Sequence, residues 1–220
     1  KIKYPLYVTI DSNIFIANKY DFSNESALDI FAKYVASGKI RIVLSDIVVR
    51  EVEKHIQMES DKICGKLRGL RAEILKTASE GLLKQIGFND LQWLVDKDLC
   101  REKSRKTWID YLARLKPEIL DVKCIDVGKI VDDYFEVNPP FENSEKKRKE
   151  FPDAFIVNQI QNRFKDKETV VIVSSDKGFL NSSGETGNFI LCSALSELFD
   201  LINRHDLQYI DIANEINEKF

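Results

Sequence analysis

Four acidic residues stand where an α/β protein places the groups that bind its ligands. Asp11 follows the apolar run Leu6–Ile10, and Asp176 comes shortly after the run Val170–Val173. Both runs are short and rich in β-branched residues, which is typical of strands buried in a parallel sheet. We therefore expect Asp11 and Asp176 at the carboxyl edge of the sheet, where open parallel sheets bind ligands.

The other two acids are predicted to reach the same edge from helices. Glu51 falls one to two turns into a helix that follows a strand at residues 40–44. Asp153 falls in the first turn of a helix opened by Pro152. Four carboxylates gathered at one edge repel one another unless cations bind between them. The sequence therefore predicts a site for Mg²⁺ or Mn²⁺, held by oxygen ligands.

Divalent cations at such a site suit the cleavage of phosphodiester bonds. Mg²⁺ keeps several of its waters, so carboxylates from separate elements leave room for a phosphate. Two such ions about 4 Å apart can activate a water and stabilise the leaving oxygen. Each acid alone has a plainer interpretation, as a helix cap, a partner of a helix dipole or a solvated helical charge. Four of them in this order favour the metal site.

The elements that would position these acids alternate between strand and helix. Residues 26–36 carry a helical apolar stripe, 122–127 form a strand candidate, and 189–192 and 193–203 are predicted as a strand and a helix. This alternation predicts one α/β domain over residues 1–220, a three-layer α/β/α sandwich around a mostly parallel sheet.

A long helical tract interrupts this alternation. Between residues 60 and 117 strand signals vanish, the density of charged residues rises, and apolar residues recur at helical spacing until Pro117. We expect this tract to be a helical lobe inserted within the domain.

Composition narrows the class of protein. A hydrophobic content of 44% supports a real core, and a formal charge of -3 excludes a global basic field for nucleic acid. The four cysteines form no metal-binding pair and are expected to be reduced thiols. Reduced thiols predict a cytoplasmic protein. No apolar run is long enough for a membrane span, so we expect no membrane partner.

At the acidic residues the chain resembles the PIN-domain ribonucleases, which are related to the flap-type 5′ nucleases. The family's opening motif is matched by Asp11-Ser12-Asn13, its second acid by Glu51, its Asp-Ala pair by Asp153-Ala154, and its last motif by Ser174-Ser175-Asp176-Lys177-Gly178-Phe179. The resemblance covers the chain to about residue 57 and again from about 122 to 199. It implies that Asn13 and Ser174 orient the acids.

The resemblance also implies a function. The helical lobe exceeds the small toxin-type PIN domains and is similar to larger PIN-like proteins of bacterial toxin and defence systems. The expected activity is a metal-dependent endoribonuclease that cleaves single-stranded RNA, with Asp11, Glu51, Asp153 and Asp176 as catalytic metal ligands. DNA is not excluded as a substrate. The resemblance also allows an antitoxin or regulatory protein as a partner, and an oligomeric state.

Two alternative functions and one candidate phosphate-binding segment also follow from the sequence. A haloacid-dehalogenase-like phosphatase also begins with a strand and an Asp, but it needs a second Asp where this chain has Asn13. A PIN-like fold could also hold RNA or a protein without cutting it. The run Lys146, Lys147, Arg148 and Lys149 precedes Asp153 and could hold phosphate, although a solvated loop is an equal interpretation.

Overall fold

A computed structural model describes residues 3–87, 96–141, 150–165, 168–183 and 188–217. Within these ranges the strands are β1 (Leu6–Ile10), β2 (Ile40–Ser45), β3 (Glu118–Leu120), β4 (Val170–Val173) and β5 (Phe189–Cys192). The helices are α1 (Ser12–Ala17), α2 (Ala27–Ala36), α3 (Asp46–Leu75), α4 (Glu80–Gln85), α5 (Lys97–Leu115), α6 (Val127–Glu136), α7 (Phe151–Arg163), α8 (Lys177–Ser183) and α9 (Leu195–Asn217). None of the helices in these ranges has an apolar stretch that could cross a membrane.

The strands form a wholly parallel sheet in the order β3-β2-β1-β4-β5. Every residue of β4 is buried, and so is nearly all of β1, which agrees with the nearly continuous apolar character of both runs. The register pairs Ile10 with Val173, so β1 and β4 end side by side. The predicted α/β class, with a parallel central sheet and flanking helices, is confirmed.

The order of the strands creates a switch point in the middle of the sheet. The chain leaves β1 for β2 and β3 on one side, and it reaches β4 on the other side only afterwards. The connection after β1 leads to β2 on one side and the connection after β4 leads to β5 on the other, so they diverge and a crevice opens between the carboxyl ends of β1 and β4. This is the place where an open parallel sheet binds its ligand.

The start of the sheet is held by a carboxylate on the last helix. Asp206 of α9 accepts hydrogen bonds from the hydroxyl of Tyr4 at 2.7 Å and from Nζ of Lys39 at 2.6 Å. Lys39 holds the pKa of the Asp206 carboxyl below its ordinary value. Because Tyr4 and Lys39 precede β1 and β2, one side chain anchors the amino ends of two neighbouring strands.

The chain divides into two compact units. The first comprises Lys1–Val49 with Leu115–Phe220 and contains the sheet; the second comprises Arg50–Arg114 and is helical. Inside the second unit, Asp61 of α3 accepts two hydrogen bonds from Arg101 of α5, at 2.7 and 2.6 Å. This bidentate pair joins the two long helices. The predicted insertion at 60–117 overlaps this unit, and its status as an insertion within one domain stays a prediction.

The third strand differs from its predicted position. The strand expected at residues 122–127 is instead a short 3₁₀ helix, Val122–Cys124, followed by the start of α6. Asp121 accepts a hydrogen bond from the backbone N–H of Lys123 at 2.8 Å, and Asp126 accepts one from Lys129 at 3.0 Å. These two caps close the backbone into helical turns, which overrides the apolar pattern. The last helix also runs beyond its predicted end at residue 203.

The short edge strand β3 is held by an ion pair with α7. Arg163 donates from Nε to Oε1 of Glu118 at 2.6 Å and from Nη2 to Oε2 at 3.3 Å. Arg163 keeps the pKa of the Glu118 carboxyl below its ordinary value. A carboxyl whose pKa is lowered in the folded state stabilises the protein above its unfolded pKa, and this stabilisation is lost as the pH falls.

We expect Glu118→Gln to lower the free energy of unfolding by about 1 kcal/mol at pH 7, because it removes the charge of a bidentate pair that is partly screened. The difference from wild type should shrink as the pH falls below about 4, where the wild-type carboxyl becomes protonated. Urea denaturation at pH 7, 4 and 3 measures both effects. Glu102→Gln, at an exposed position of α5, is the control, and a difference that does not change with pH would contradict the ion-pair account.

Candidate active site at the carboxyl edge of the sheet

Asp11 lies at the carboxyl end of β1 and is the most enclosed of the four acids, with 8% of its surface exposed. Its backbone N–H donates to the carbonyl of Val173 at 3.0 Å, which continues the pairing of β1 with β4. Its Oδ1 accepts a hydrogen bond from the N–H of Ser12 at 2.6 Å and caps α1. The end of the central strand and the start of the next helix therefore fix this carboxylate.

A hydrogen-bond network joins Asp11 to the end of β4. Oδ2 of Asp11 accepts from Nδ2 of Asn13 at 2.5 Å and from the hydroxyl of the buried Ser174 at 2.8 Å. Asn13 also donates to Ser174 at 3.0 Å, and its Oδ1 accepts from the N–H of Ser175 at 3.1 Å. These donors are uncharged, so they orient the carboxylate without neutralising it.

Asp176 follows β4 and is exposed. Its Oδ1 accepts hydrogen bonds from the N–H groups of Gly178 at 2.7 Å and Phe179 at 3.1 Å, so the residue caps α8. Its backbone N–H donates to the hydroxyl of Ser174 at 3.1 Å. Oδ2 makes no hydrogen bond within the described part of the chain. The capping interpretation therefore applies to one oxygen of Asp176 and leaves the other for a ligand.

Asp153 lies in the first turn of α7 and is half-buried. α7 runs antiparallel to β3, because Arg163 contacts Glu118 at the start of that strand and Gln159 donates to the carbonyl of Leu120 at its end. Asp153 precedes Gln159 by six residues, or about 9 Å along a helix. The amino end of α7 therefore extends past the carboxyl edge of the sheet and carries Asp153 with it.

Glu51 is the sixth residue of α3, is half-buried, and belongs to the helical unit. Its place in the site stays a prediction from the sequence. Within the described ranges, no group of three or more Cys, His, Asp or Glu side chains is arranged to hold a metal ion. The structure thus joins Asp11 and Asp176 through Ser174.

The chemistry of the donors nevertheless fits a divalent cation. Carboxylate oxygens are the ligands that Mg²⁺ and Mn²⁺ prefer, and neutral hydrogen bonds behind a carboxylate are the usual way in which a metal ligand is held. Asp11 and Asp176 provide both features.

Two candidate nucleophiles at the ends of β4 and β5, Ser174 and Cys192, are held in unreactive states. Cys192 ends β5, but burial, together with the nearby Glu197, raises the pKa of its thiol to about 11, so it stays protonated at neutral pH. Ser174 is fully buried and donates its hydroxyl proton to Asp11.

Sequence reasoning missed two polar residues of α7, Asn158 and Gln159. Gln159 is 2% exposed and donates to Oδ1 of Asp46 at 3.1 Å, at the first residue of α3. Asn158 is 4% exposed. The available signal was the pair Asn158-Gln159 inside an otherwise apolar stretch of α7. The predicted phosphate-binding run Lys146, Lys147, Arg148 and Lys149 lies outside the described residues.

Comparison with known proteins identifies a family. The family model for the PIN domain matches residues 8–179, a range that includes all four acids. The chain is also similar to a crystal structure of VapBC2 from Rickettsia felis bound to a DNA fragment from their promoter, with 16% identity and a TM-score of 0.38. That similarity covers 84% of this chain and 97% of the other. No curated protein matches the chain.

Two substitutions at Asp176 separate capping from metal binding. Asp176→Asn keeps an oxygen that can cap α8, so the metal-free protein should melt close to wild type. Asp176→Ala removes the cap and should cost about 1 kcal/mol of stability. Mn²⁺ should raise the melting temperature of wild type by mass action and raise that of both variants much less. Thermal melts with EDTA and with Mn²⁺ measure these effects. A full Mn²⁺ response in Asp176→Asn would remove Asp176 from the metal site.

Proposed function

The chain belongs to the PIN-domain family, and on this premise we propose that it is a metal-dependent endoribonuclease that hydrolyses phosphodiester bonds of single-stranded RNA. PIN domains are generally nucleases and typically use divalent metals. The observation that carries the proposal is the hydrogen-bonded unit of Asp11, Asn13, Ser174 and Asp176 at the switch point between β1 and β4. This is a site built to hold carboxylates in place beside a crevice.

Asp11 and Asp176 would hold the cation, with Asp153 from the amino end of α7 and Glu51 from α3 as further ligands. A divalent cation at this place supplies Lewis acidity toward the phosphate and lowers the pKa of a bound water. The chain itself supplies orientation. Asn13 and Ser174 fix Oδ2 of Asp11, and the cap of α8 fixes the carboxylate plane of Asp176. Fixed ligands avoid reorganisation during the reaction.

The contacts of Asn13 also bear on the alternatives. A phosphatase of the haloacid-dehalogenase type needs an acid at this position. Here the amide uses both ends, donating to Asp11 and accepting from Ser175, a pairing that an ionised carboxylate could not make. Binding of RNA without cleavage is the remaining alternative. From the resemblance we further propose a cytoplasmic toxin or defence effector, controlled by an antitoxin or another regulatory protein.

We expect purified protein to cut a fluorescently labelled single-stranded RNA in Mn²⁺ or Mg²⁺ and to be inactive in EDTA. Asp11→Asn should lower the cleavage rate by more than about 100-fold, because it removes a charged metal ligand with little change of shape. RNA binding, measured by fluorescence anisotropy, should be retained. Asp200→Asn, at an exposed position of α9, is the matched control. Equal rates for wild type and Asp11→Asn in matched preparations would leave a binding module as the function.

The network behind Asp11 gives a graded test. Asn13→Ala and Ser174→Ala each remove one donor to Oδ2 and should weaken Mn²⁺ binding by about 10- to 100-fold, since the carboxylate loses its orientation. Isothermal titration calorimetry with Mn²⁺ measures this directly. Ser175→Ala, which keeps the backbone N–H that donates to Asn13, is the control. Unchanged Mn²⁺ affinity in both alanine variants of the network would contradict the orienting role.

A further inference from the structure

A cavity of about 240 Å³ lies between α6, α7 and the proline segment that follows α6. Its described apolar walls include Ile130, Val157 and Pro139. Sites for drug-sized ligands run from roughly 300 to 1,000 Å³. This cavity is smaller, and it therefore fits a single ring system rather than a whole nucleotide.

Asn158 lines the cavity, and only 4% of its surface is exposed. Its Oδ1 accepts from the backbone N–H of Asp126 at 3.0 Å and from Nδ2 of Asn162 at 2.8 Å, which fixes the orientation of the amide. Its own Nδ2 donates to no acceptor in the described ranges. This amide group lines the cavity, so it can donate to an acceptor on a ligand.

The other polar groups define what a ligand must offer. Nζ of Lys129 donates to Oε1 of Gln161 at 3.4 Å, so Gln161 presents the N–H groups of Nε2. Asp133 adds a carboxylate, of which Oδ1 accepts from Nδ2 of Asn138 at 3.1 Å. The cavity thus combines several donors with one anionic acceptor.

An aromatic cluster holds the walls of the cavity in place. Tyr134 of α6 stacks on Phe151 of α7 with ring centroids 5.1 Å apart, and Phe141 packs edge-on against both rings. Ile130 and Ala154, which line the cavity, belong to the same buried cluster. The cavity is therefore formed before any ligand arrives, which lowers the cost of binding.

The cavity lies beside the proposed cleavage site. Ala154, Val157, Asn158 and Gln161 follow one face of α7 at helical spacing, and Ala154 is the neighbour of Asp153 in the chain. A strand of RNA that passes Asp153 would bring a base within reach of this face.

We propose that the cavity binds a guanine base of the RNA substrate next to the cleaved bond, a proposal that rests on the nuclease function. Guanine offers the acceptors O6 and N7 to the donors Asn158, Gln161 and Lys129. Its N1–H and N2–H₂ groups match the carboxylate of Asp133. Adenine and cytosine present an amine where guanine has O6, so donor would face donor. Uracil has only one N–H for the carboxylate. Single-stranded RNA is read at these edges.

The test uses the full chain in EDTA, so that it does not depend on the metal or on cleavage. Side-chain amide signals of ¹⁵N-labelled protein are followed by NMR while 5′-GMP, AMP, UMP or CMP is added. All four share a phosphate and a ribose, so a preference reports the base. GMP should bind at least about tenfold more tightly than the others, and the amide signals of Asn158 and Gln161 should shift.

Matched variants assign the preference to the cavity. Asp133→Asn should weaken GMP binding by about tenfold and leave AMP binding unchanged, because it removes the acceptor for N1–H and N2–H₂. Asp132→Asn, at the neighbouring exposed position outside the cavity, should leave GMP binding unchanged. Asp133→Asn retains an oxygen for Asn138, so the fold should be kept.

Equal binding of the four nucleotides, equal effects of Asp132→Asn and Asp133→Asn, or shifts at amides remote from the cavity would each overturn the proposal. These outcomes are separate from the nuclease assay. Metal-dependent cleavage by a protein without guanine preference would reject the cavity alone. Guanine-selective binding by a protein without nuclease activity would reject the nuclease and keep the cavity as a guanine nucleotide site.

Discussion

The buried carboxylate of Asp11 is the group on which the arrangement of the sheet edge depends. An ionised carboxylate out of water is unfavourable by several kcal/mol unless hydrogen bonds satisfy it. The required donors come from both sides of the crevice, from Ser12 and Asn13 after β1 and from Ser174 after β4. They meet Asp11 only if the two strands end at the same level, as the pairing of Ile10 with Val173 ensures. The geometry of the candidate site therefore requires this register of the two central strands.

Helix capping satisfies one oxygen of each of the two acids at this edge of the sheet. Asp11 and Asp176 each direct one oxygen to the N–H groups that open a helix. Those N–H groups have no partner inside the helix, so the carboxylates satisfy them while the donors disperse the charge. The same side chains therefore stabilise the fold and present anionic oxygen. Structural and catalytic interpretations of an acid at a strand end need not compete.

The parts of this structure that were predictable are those decided locally. The sequence shows β1, β2, β4 and β5 as compact β-branched or apolar runs. The positions of Asp11 and Asp176 follow from the ends of two of these runs, and that of Asp153 follows from the helix start at Pro152. β3 was missed because three residues carry no periodicity; that strand exists through its pairing with β2 and the contact of Glu118 with Arg163. The apolar segment at 122–127 was wrongly predicted as a strand, because the caps formed by Asp121 and Asp126 favour helical turns there. The orientation of Asn158 depends on its tertiary contact with Asp126, which no pattern of spacing contains.

The continuity of α7 has an evolutionary consequence. One uninterrupted helix carries Asp153 at its amino end, then Asn158 and Gln161, and finally the Arg163 that anchors the edge strand. Insertion or deletion of one residue within it would rotate everything beyond that point by about 100°. Such a change would alter the relative positions of Asp153, the cavity and the edge strand in a single event. Descendants of this sequence can therefore vary α7 by substitution but not by length, and divergence in chain length should accumulate outside it.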